Sequence, residues 1–316
     1  MIPFSRIFIL IFCALPLQGS ELVVWGINND RGLTAALRQF EIEYPGWTVV
    51  TSTGSGGGMN PQKLMCGIAG GSPPDMIQQD RFSVGEWAAR DAFISLDDLI
   101  IRSLEEEQIA IEFRDAVAQG DLNTAQHKLN MVISYLDKRG SSLQLDLSRS
   151  LLKDLHSIPQ SESMARAYTL TTLVQGIHPE KFFDACWQEA CFAKDNESRK
   201  VYAIPNSTDN RALYYNEALL ERAGLVDEHG TALPPRTWKE LQQYSIRLTE
   251  YDADGQMSRL GFAPNFGNSW LYIYGWLNGG KFMSDDGRIC TLNEPRIEEA
   301  LRYMVETYDS LGGIEK

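Results

Sequence analysis

The sequence predicts an α/β protein with a helical block set into it, and three observations carry that prediction. Residues 21–77 alternate short apolar strands with stretches of helical period. Residues 103–193 are helical throughout. From Val201 onward the strand–helix alternation returns. Strands separated by helices imply a mostly parallel sheet with right-handed crossovers. The chain has 316 residues, enough for two domains of ordinary size.

Residues 1–20 have the pattern of a cleavable signal peptide: Arg6 as a short basic region, an apolar run Ile7–Leu17, and small residues at Leu17-Gln18-Gly19-Ser20. The run is too short to anchor the chain across a bilayer. Cys13 follows the bulky Phe12, which disfavours a lipid-attachment signal. An exported chain beginning near Glu21 is expected.

The formal net charge is -13, from 42 acidic and 29 basic residues, and a leader containing Arg6 contributes nothing acidic. Without a basic stripe, nucleic acid and anionic membranes are poor partners. Beyond the leader stand Cys66, Cys186, Cys191 and Cys290. An oxidising compartment permits one or two disulfides among them, and the pairing stays open. Cys186 and Cys191, five apart on a predicted helix, fall on different faces. No cysteine spacing fits zinc, and the 4 histidines are scattered, so neither a metal nor a cofactor is expected.

Glu21–Trp25 is a predicted strand that breaks at Gly26 and the Asn28-Asn29-Asp30 turn. Leu33, Ala36, Leu37, Phe40 and Tyr44 have helical period, Pro45-Gly46 ends that helix, and Trp47–Thr53 is the second strand. Gly54–Gly58 is a loop, Met59–Ala69 a second helix, and a third strand begins at Pro73 and runs to Ile77. In such sheets ligands lie beyond the strand carboxyl ends. Those ends gather residues 25–30, 54–58 and 78–81 along one edge. The spacing Gly54-x-Gly56-x-Gly58 is too compressed for a dinucleotide fingerprint, and its acidic partner is missing. A loop that lets backbone N–H groups approach a ligand and a plain flexible turn both remain open.

In the helical block Ser103 and Glu106 have capping-box spacing. Apolar positions then run to Val117, through Leu122–Leu136, Leu143–Ile158 and Met164–Val174, with breaks at Gly120 and Gly140. Residues 118–125 faintly resemble a tetratricopeptide repeat. No second copy follows, so the block is read as an insertion covering part of the surface, with partner docking as the lesser alternative.

Val201–Ile204 is a predicted strand, Pro205 and Asn206–Asn210 a polar turn, Ala212–Tyr215 a second strand, and Asn216 the cap of a helix ending at Gly224. Thr237 caps a helix with Glu240 as box partner, Leu260–Ala263 is another strand, and Ile297–Leu311 a closing helix. Trp270, Tyr272, Tyr274 and Trp276, at spacing two, form one face of a strand. That face serves either as buried core or as rings that stack on a sugar.

Several pieces, in order and spacing, resemble the extracellular solute-binding proteins of ABC importers, in the group that includes the maltose-binding protein. They are Leu22–Gly26, the glycine loop, Gly70–Ile77, Phe93–Asp98, Tyr202–Pro205, Leu213–Asn216 through Leu225, Pro235–Leu241, Gly261–Ala263 and Trp276–Gly280. They cover residues 21–101 and 201–316. The resemblance implies the type II-like periplasmic-binding fold, two α/β lobes that close on a solute by hinge motion. Residues 21–102 would form the first lobe, 103–200 the helical insertion and the return to that lobe, and 201–316 the crossing and the second lobe. The helical block exceeds the family's usual length there, and family members continue past Lys316, which implies a second lobe incomplete at its C-terminus.

Carried over by position, the first-lobe contacts are Trp25, Asn28, Gly57 and Asp80. Asn206, Asp209 and Asn210 stand near the hinge, and Trp270, Trp276 and Asn278 line the second-lobe wall. The implied function is capture of a carbohydrate by a periplasmic or extracellular monomer and delivery to permease subunits, without catalysis. Alternatives on the same fold are a polyamine binder using Asp80 and Asp209, or a ferric-ion binder using Tyr214-Tyr215, although strand alternation would point those tyrosines to opposite faces. An exported carbohydrate-active enzyme needs two facing carboxylates. Asp209 and Asp285 are candidates, but nothing around them marks an acid/base pair.

Overall fold

Ser20–Ile27 (β1) buries Leu22, Val24 and Gly26 on one face and leaves the intervening side chains partly covered, as the period-2 alternation of a strand requires. This is the first element of a computed structural model that describes residues 20–27, 31–53, 60–194, 198–208, 211–264, 270–285 and 287–313. Trp47–Thr53 (β2) and Met76–Ile77 (β3) pair with β1 on either side, both parallel, in the order β2-β1-β3. The strand does not end at Gly26. The β1–β2 register slips between Trp25 and Ile27, and Gly26 absorbs the slip at φ 82°, where a Cβ would be strained.

Helices cover both faces. Arg31–Glu43 (α1) lays Ala36, Leu37 and Phe40 on Leu22 and Val24, with Met76 at the margin. On the opposite face Pro61–Ala69 (α2) and Val84–Ala89 (α3) supply Leu64 and Trp87, packed against Trp25 and Ile77. Asn60 caps α2 by accepting hydrogen bonds from the N–H groups of Gln62 (2.9 Å) and Lys63 (3.2 Å).

The block that follows is Asp97–Gln119 (α4), Leu122–Arg139 (α5), Ser142–Asp154 (α6) and Gln160–Leu173 (α7). Each helix packs on its two neighbours, α4 on α5 and α7, α6 on α5 and α7, closing a four-helix bundle. Its core includes Phe113, Leu129, Leu136, Leu151 and Leu170. Gly120 (φ 74°) and Gly140 (φ 70°) end α4 and α5 in the left-handed conformation that only glycine adopts freely. The predicted capping box is corrected. The helix begins six residues before Ser103, and Ser103 lies buried inside it, its Oγ donating to the Ile100 carbonyl and accepting from Ile177 N. Spacing suited to a cap occurs inside helices as well, and burial decided the role here.

Asp184–Glu189 (α8) contains Cys186, whereas Cys191 lies in Cys191–Phe192 (β4), antiparallel to Lys200–Val201 (β5). The two cysteines therefore do not share a helix, and all four described cysteines are free thiols. The strand expected over Val201–Ile204 shrinks to the pairing at Val201, and residues 202–208 are irregular.

The chain divides into two compact units, 1–209 and 210–316. In the second, residues 211–216 are exposed and irregular rather than a strand, leaving Tyr214 89% accessible. Glu217–Arg222 (α9) is capped by Asn216, and Trp238–Leu248 (α10) by Thr237. Glu250–Tyr251 (β6) and Met257–Arg259 (β7) form a hairpin, so residues 260–263 lie beyond the strand rather than in it. Leu271–Leu277 (α11) packs on Pro295–Ser310 (α12). The unit is thus mixed α/β but mostly helical.

Candidate functional site

Parallel strands bring Trp25 and Ser52, register partners near the carboxyl ends of β1 and β2, to the sheet edge where ligands of such folds sit. Gly67 lets α2 approach the Trp25 indole, since a Cβ there would lie 2.9 Å from Cη2. Lys63, from the first turn of α2, holds its ammonium 4.5 Å from the Trp25 ring centroid and donates to Ser52 Oγ at 3.0 Å. One ring face of Trp25 is thereby occupied by a cation. Asp80 is exposed, and its carbonyl accepts from Ser83 N and Ser83 Oγ. Asn28, Gly57, Asp209 and Asn210 lie outside the described residues.

Next to β3 lies a pocket of about 410 Å³. Its lining is mainly apolar, with Ile77, Phe93 and Ile204 among the walls, and Gln78, Arg81 and Asn206 supply polar groups. Arg81 is held from behind: Nη1 meets Cys186 Sγ at 2.7 Å and Glu189 Oε2 at 3.0 Å. Of the sequence-predicted contacts, Asn206 lines this pocket, whereas Trp25 and Asp80 do not.

In the second unit the aromatic run is helical, which corrects the expected strand. With four residues per near-turn, Trp270 and Tyr274 share one face and Tyr272 and Trp276 the other. The first pair turns inward. Tyr274 and Tyr303 pack with Trp238, Trp270 and Met304, and burial raises both tyrosine hydroxyl pKa values. Arg211 places its guanidinium 5.1 Å from the Trp270 ring. The second pair faces solvent. Trp276 is 58% exposed and meets Tyr272 edge-on at 5.2 Å and Phe282 at 6.0 Å. One side of this helix is therefore core, and the other presents its rings to solvent. Asn278 ends α11 and donates through Nδ2 to the Arg296 carbonyl and Glu299 Oε2, each at 2.9 Å. Its amide nitrogen is committed to α12.

Three side chains at these places were not singled out from sequence: Lys63, Arg81 and Phe282. Lys63 carried a usable signal, because a cation in the first turn of a helix opposes the macrodipole. Arg81 and Phe282 become notable only through partners distant in the chain. Asp285 forms a surface pair with Lys281 at 2.6 Å. No group of three His, Cys, Asp or Glu side chains fit to hold a metal occurs among the described residues, and none of their helices is long and apolar enough to cross a membrane.

From within α7 to Leu311, just past the end of α12, the chain also has a counterpart among known proteins: residues 164–311 match the family model of bacterial extracellular solute-binding proteins, a family with the two-lobe periplasmic binding fold.

Proposed function

We propose that this protein is the extracytoplasmic solute-binding component of an ABC importer, taking up a carbohydrate and passing it to permease subunits without chemical change. The observation that carries the reading is the family match over residues 164–311. The exposed rings of Tyr272 and Trp276, backed by the half-buried Phe282, support a sugar, because flat rings stack on the apolar faces of pyranoses while amides and carboxylates take the hydroxyls. The protein works as a monomer outside the cytoplasmic membrane, after loss of residues 1–20. Trp25, Asn28, Gly57, Asp80, Asn206, Asp209, Asn210, Trp270, Trp276 and Asn278 form the candidate contact set, with Trp276 the most accessible of its described aromatic members.

Thermal unfolding of the chain lacking residues 1–20 against mono- and oligosaccharides, spermidine and ferric citrate tests this. A ligand confined to the folded state raises the melting temperature in proportion to the logarithm of its excess over Kd. A rise with one sugar, absent in Trp276→Ala, supports the proposal. A rise with spermidine or ferric citrate alone moves the function to a different solute, and product formation from a sugar would replace it with catalysis.

A further inference from the structure

Arg81 stands past the carboxyl end of β3 and lines the pocket there, on the side of the sheet where a solute rests in such folds. Its backbone is fixed by a tight turn. Ser83 N and Oγ donate to the Asp80 carbonyl at 3.1 and 2.8 Å, and Gln79 Nε2 donates to Ser83 Oγ at 2.7 Å. The Arg81 side chain is fixed through one nitrogen. Nη1 meets Cys186 Sγ and Glu189 Oε2, and no described residue accepts from Nε or Nη2. In a guanidinium those two nitrogens lie side by side, and their N–H groups form a fork that matches the two oxygens of a carboxylate.

Glu189 does not exhaust the charge of Arg81. The two side chains are 32% and 41% exposed, so solvent screens their pair. A carboxylate inside the pocket is screened less and gains two parallel hydrogen bonds besides. Among the described residues that line the pocket, the other charged one is Asp75. It lies at the amino end of β3, and its Oδ2 is committed to Val23 N at 2.8 Å. Gln78, Asn206 and Ser207 supply polar groups to hydroxyls, and Ile77 and Phe93 supply apolar surface to the C–H face of a sugar ring. In a mainly apolar pocket an ionised group is admitted only where a fixed counter-charge meets it.

We infer that the solute is an acidic sugar, a uronate, whose carboxylate docks on the Nε–Nη2 fork of Arg81 in this pocket. The inference rests on the solute-binding reading and adds the charge of the solute to it. A neutral sugar leaves the fork to water, and a cationic solute is repelled by it. Glu189 and Cys186 act as positioning residues that hold the plane of the guanidinium.

The test is isothermal titration calorimetry of the full chain with D-galacturonate and D-glucuronate, their neutral parents D-galactose and D-glucose, and the methyl esters of both uronates. One uronate is expected to bind about tenfold or more tightly than its parent and its ester, and to weaken with added sodium chloride while the parent does not. Arg81→Lys keeps the charge and loses the fork, so it should cost the uronate about tenfold and leave the parent nearly unchanged. The ester comparison needs no variant and stands even where Arg81→Lys lowers the melting temperature. Absence of uronate binding, an ester that binds as tightly as its acid, or an unchanged uronate affinity in a folded Arg81→Lys overturns the inference. A melting shift with a neutral sugar but no uronate overturns it while sustaining the sugar reading. A response to spermidine or ferric citrate alone overturns both.

Discussion

Arg139, the last residue of α5, lays its guanidinium against the Glu106 carboxylate in the middle of α4, and both side chains are largely withdrawn from solvent. Burial is the leading influence on Glu106 and raises its carboxyl pKa, with Arg139 opposing the rise. Tyr44, just past α1, lies within the reach of the same charges. The end of the helix that covers the sheet thus lies beside this pair, and α1 packs on α6 of the bundle.

A buried charge left without its partner is costly. Arg139→Ala is expected to lower unfolding stability by about 3–5 kcal/mol, measured by urea denaturation. The double replacement Glu106→Leu with Arg139→Met removes both charges and should recover most of that loss. An Arg139→Ala effect under 1 kcal/mol would show that solvent screens the pair.

Tyr44 gives a pH dependence of definite sign. Its hydroxyl pKa is pushed up from 10.0 to about 12, chiefly by burial. The folded state therefore holds this proton more tightly than the unfolded chain. The contribution is whole below pH 10 and is lost as pH rises toward 12. The part owed to this side chain is on the order of 2–3 kcal/mol. Tyr44→Phe should flatten the alkaline fall in stability over that window, and a parallel pH profile in the variant would refute the assignment.

Gly261 is expected to tolerate no side chain. A Cβ there would stand 2.2 Å from the Ser245 carbonyl oxygen, which belongs to the backbone of α10 and cannot swing away. The Gly261 N–H also donates to Thr249 Oγ1 at 3.0 Å. Gly261→Ala should cost about 1–3 kcal/mol or more in the second unit. Native-like stability of the variant in differential scanning calorimetry would contradict this placement of the loop.

The two faces of α11 should separate stability from binding. Tyr274→Ala empties a buried site among Trp238, Tyr303 and Met304 and should lower stability by about 3–5 kcal/mol. Trp276→Ala removes a mostly exposed ring, so unfolding should change by less than about 1 kcal/mol while sugar affinity falls about tenfold. Equal stability losses in the two variants would mean that Trp276 is core, and unchanged affinity in Trp276→Ala would remove it from the contact set.

Much of the scaffold was legible in residue order. The alternation of Leu22 and Val24 with their neighbours, the helical period through Phe40, and Gly120 and Gly140 as helix ends all have local causes, and the structure agrees with them. The failures have a common origin. Spacing two in Trp270–Trp276 was read as a strand, but a seven-residue helix accommodates the same aromatics by putting alternate pairs on opposite faces. Ser103 and Glu106 had the spacing of a cap, and the helix simply began earlier. Strand propensity such as that of the aromatics at 212–215 and 260–263 is realised only beside a pairing strand, and nothing in the described structure pairs with these segments.

The candidate contacts Trp25, Asp80, Asn206, Trp270, Trp276 and Asn278 came from the resemblance to solute-binding proteins, carried over by position in the chain. What each side chain does was decided by neighbours far away in sequence. Lys63 covers a face of Trp25, Glu299 engages Asn278, and the α12 packing separates Trp270 from Trp276. The sequence by itself determined the strand–helix alternation of the first unit, the helix ends and the acidic composition, since these depend on local propensity and composition. The tertiary structure alone decided the ion pair between Glu106 and Arg139 and the two-sided character of α11, because burial and pairing are properties of contacts between distant residues.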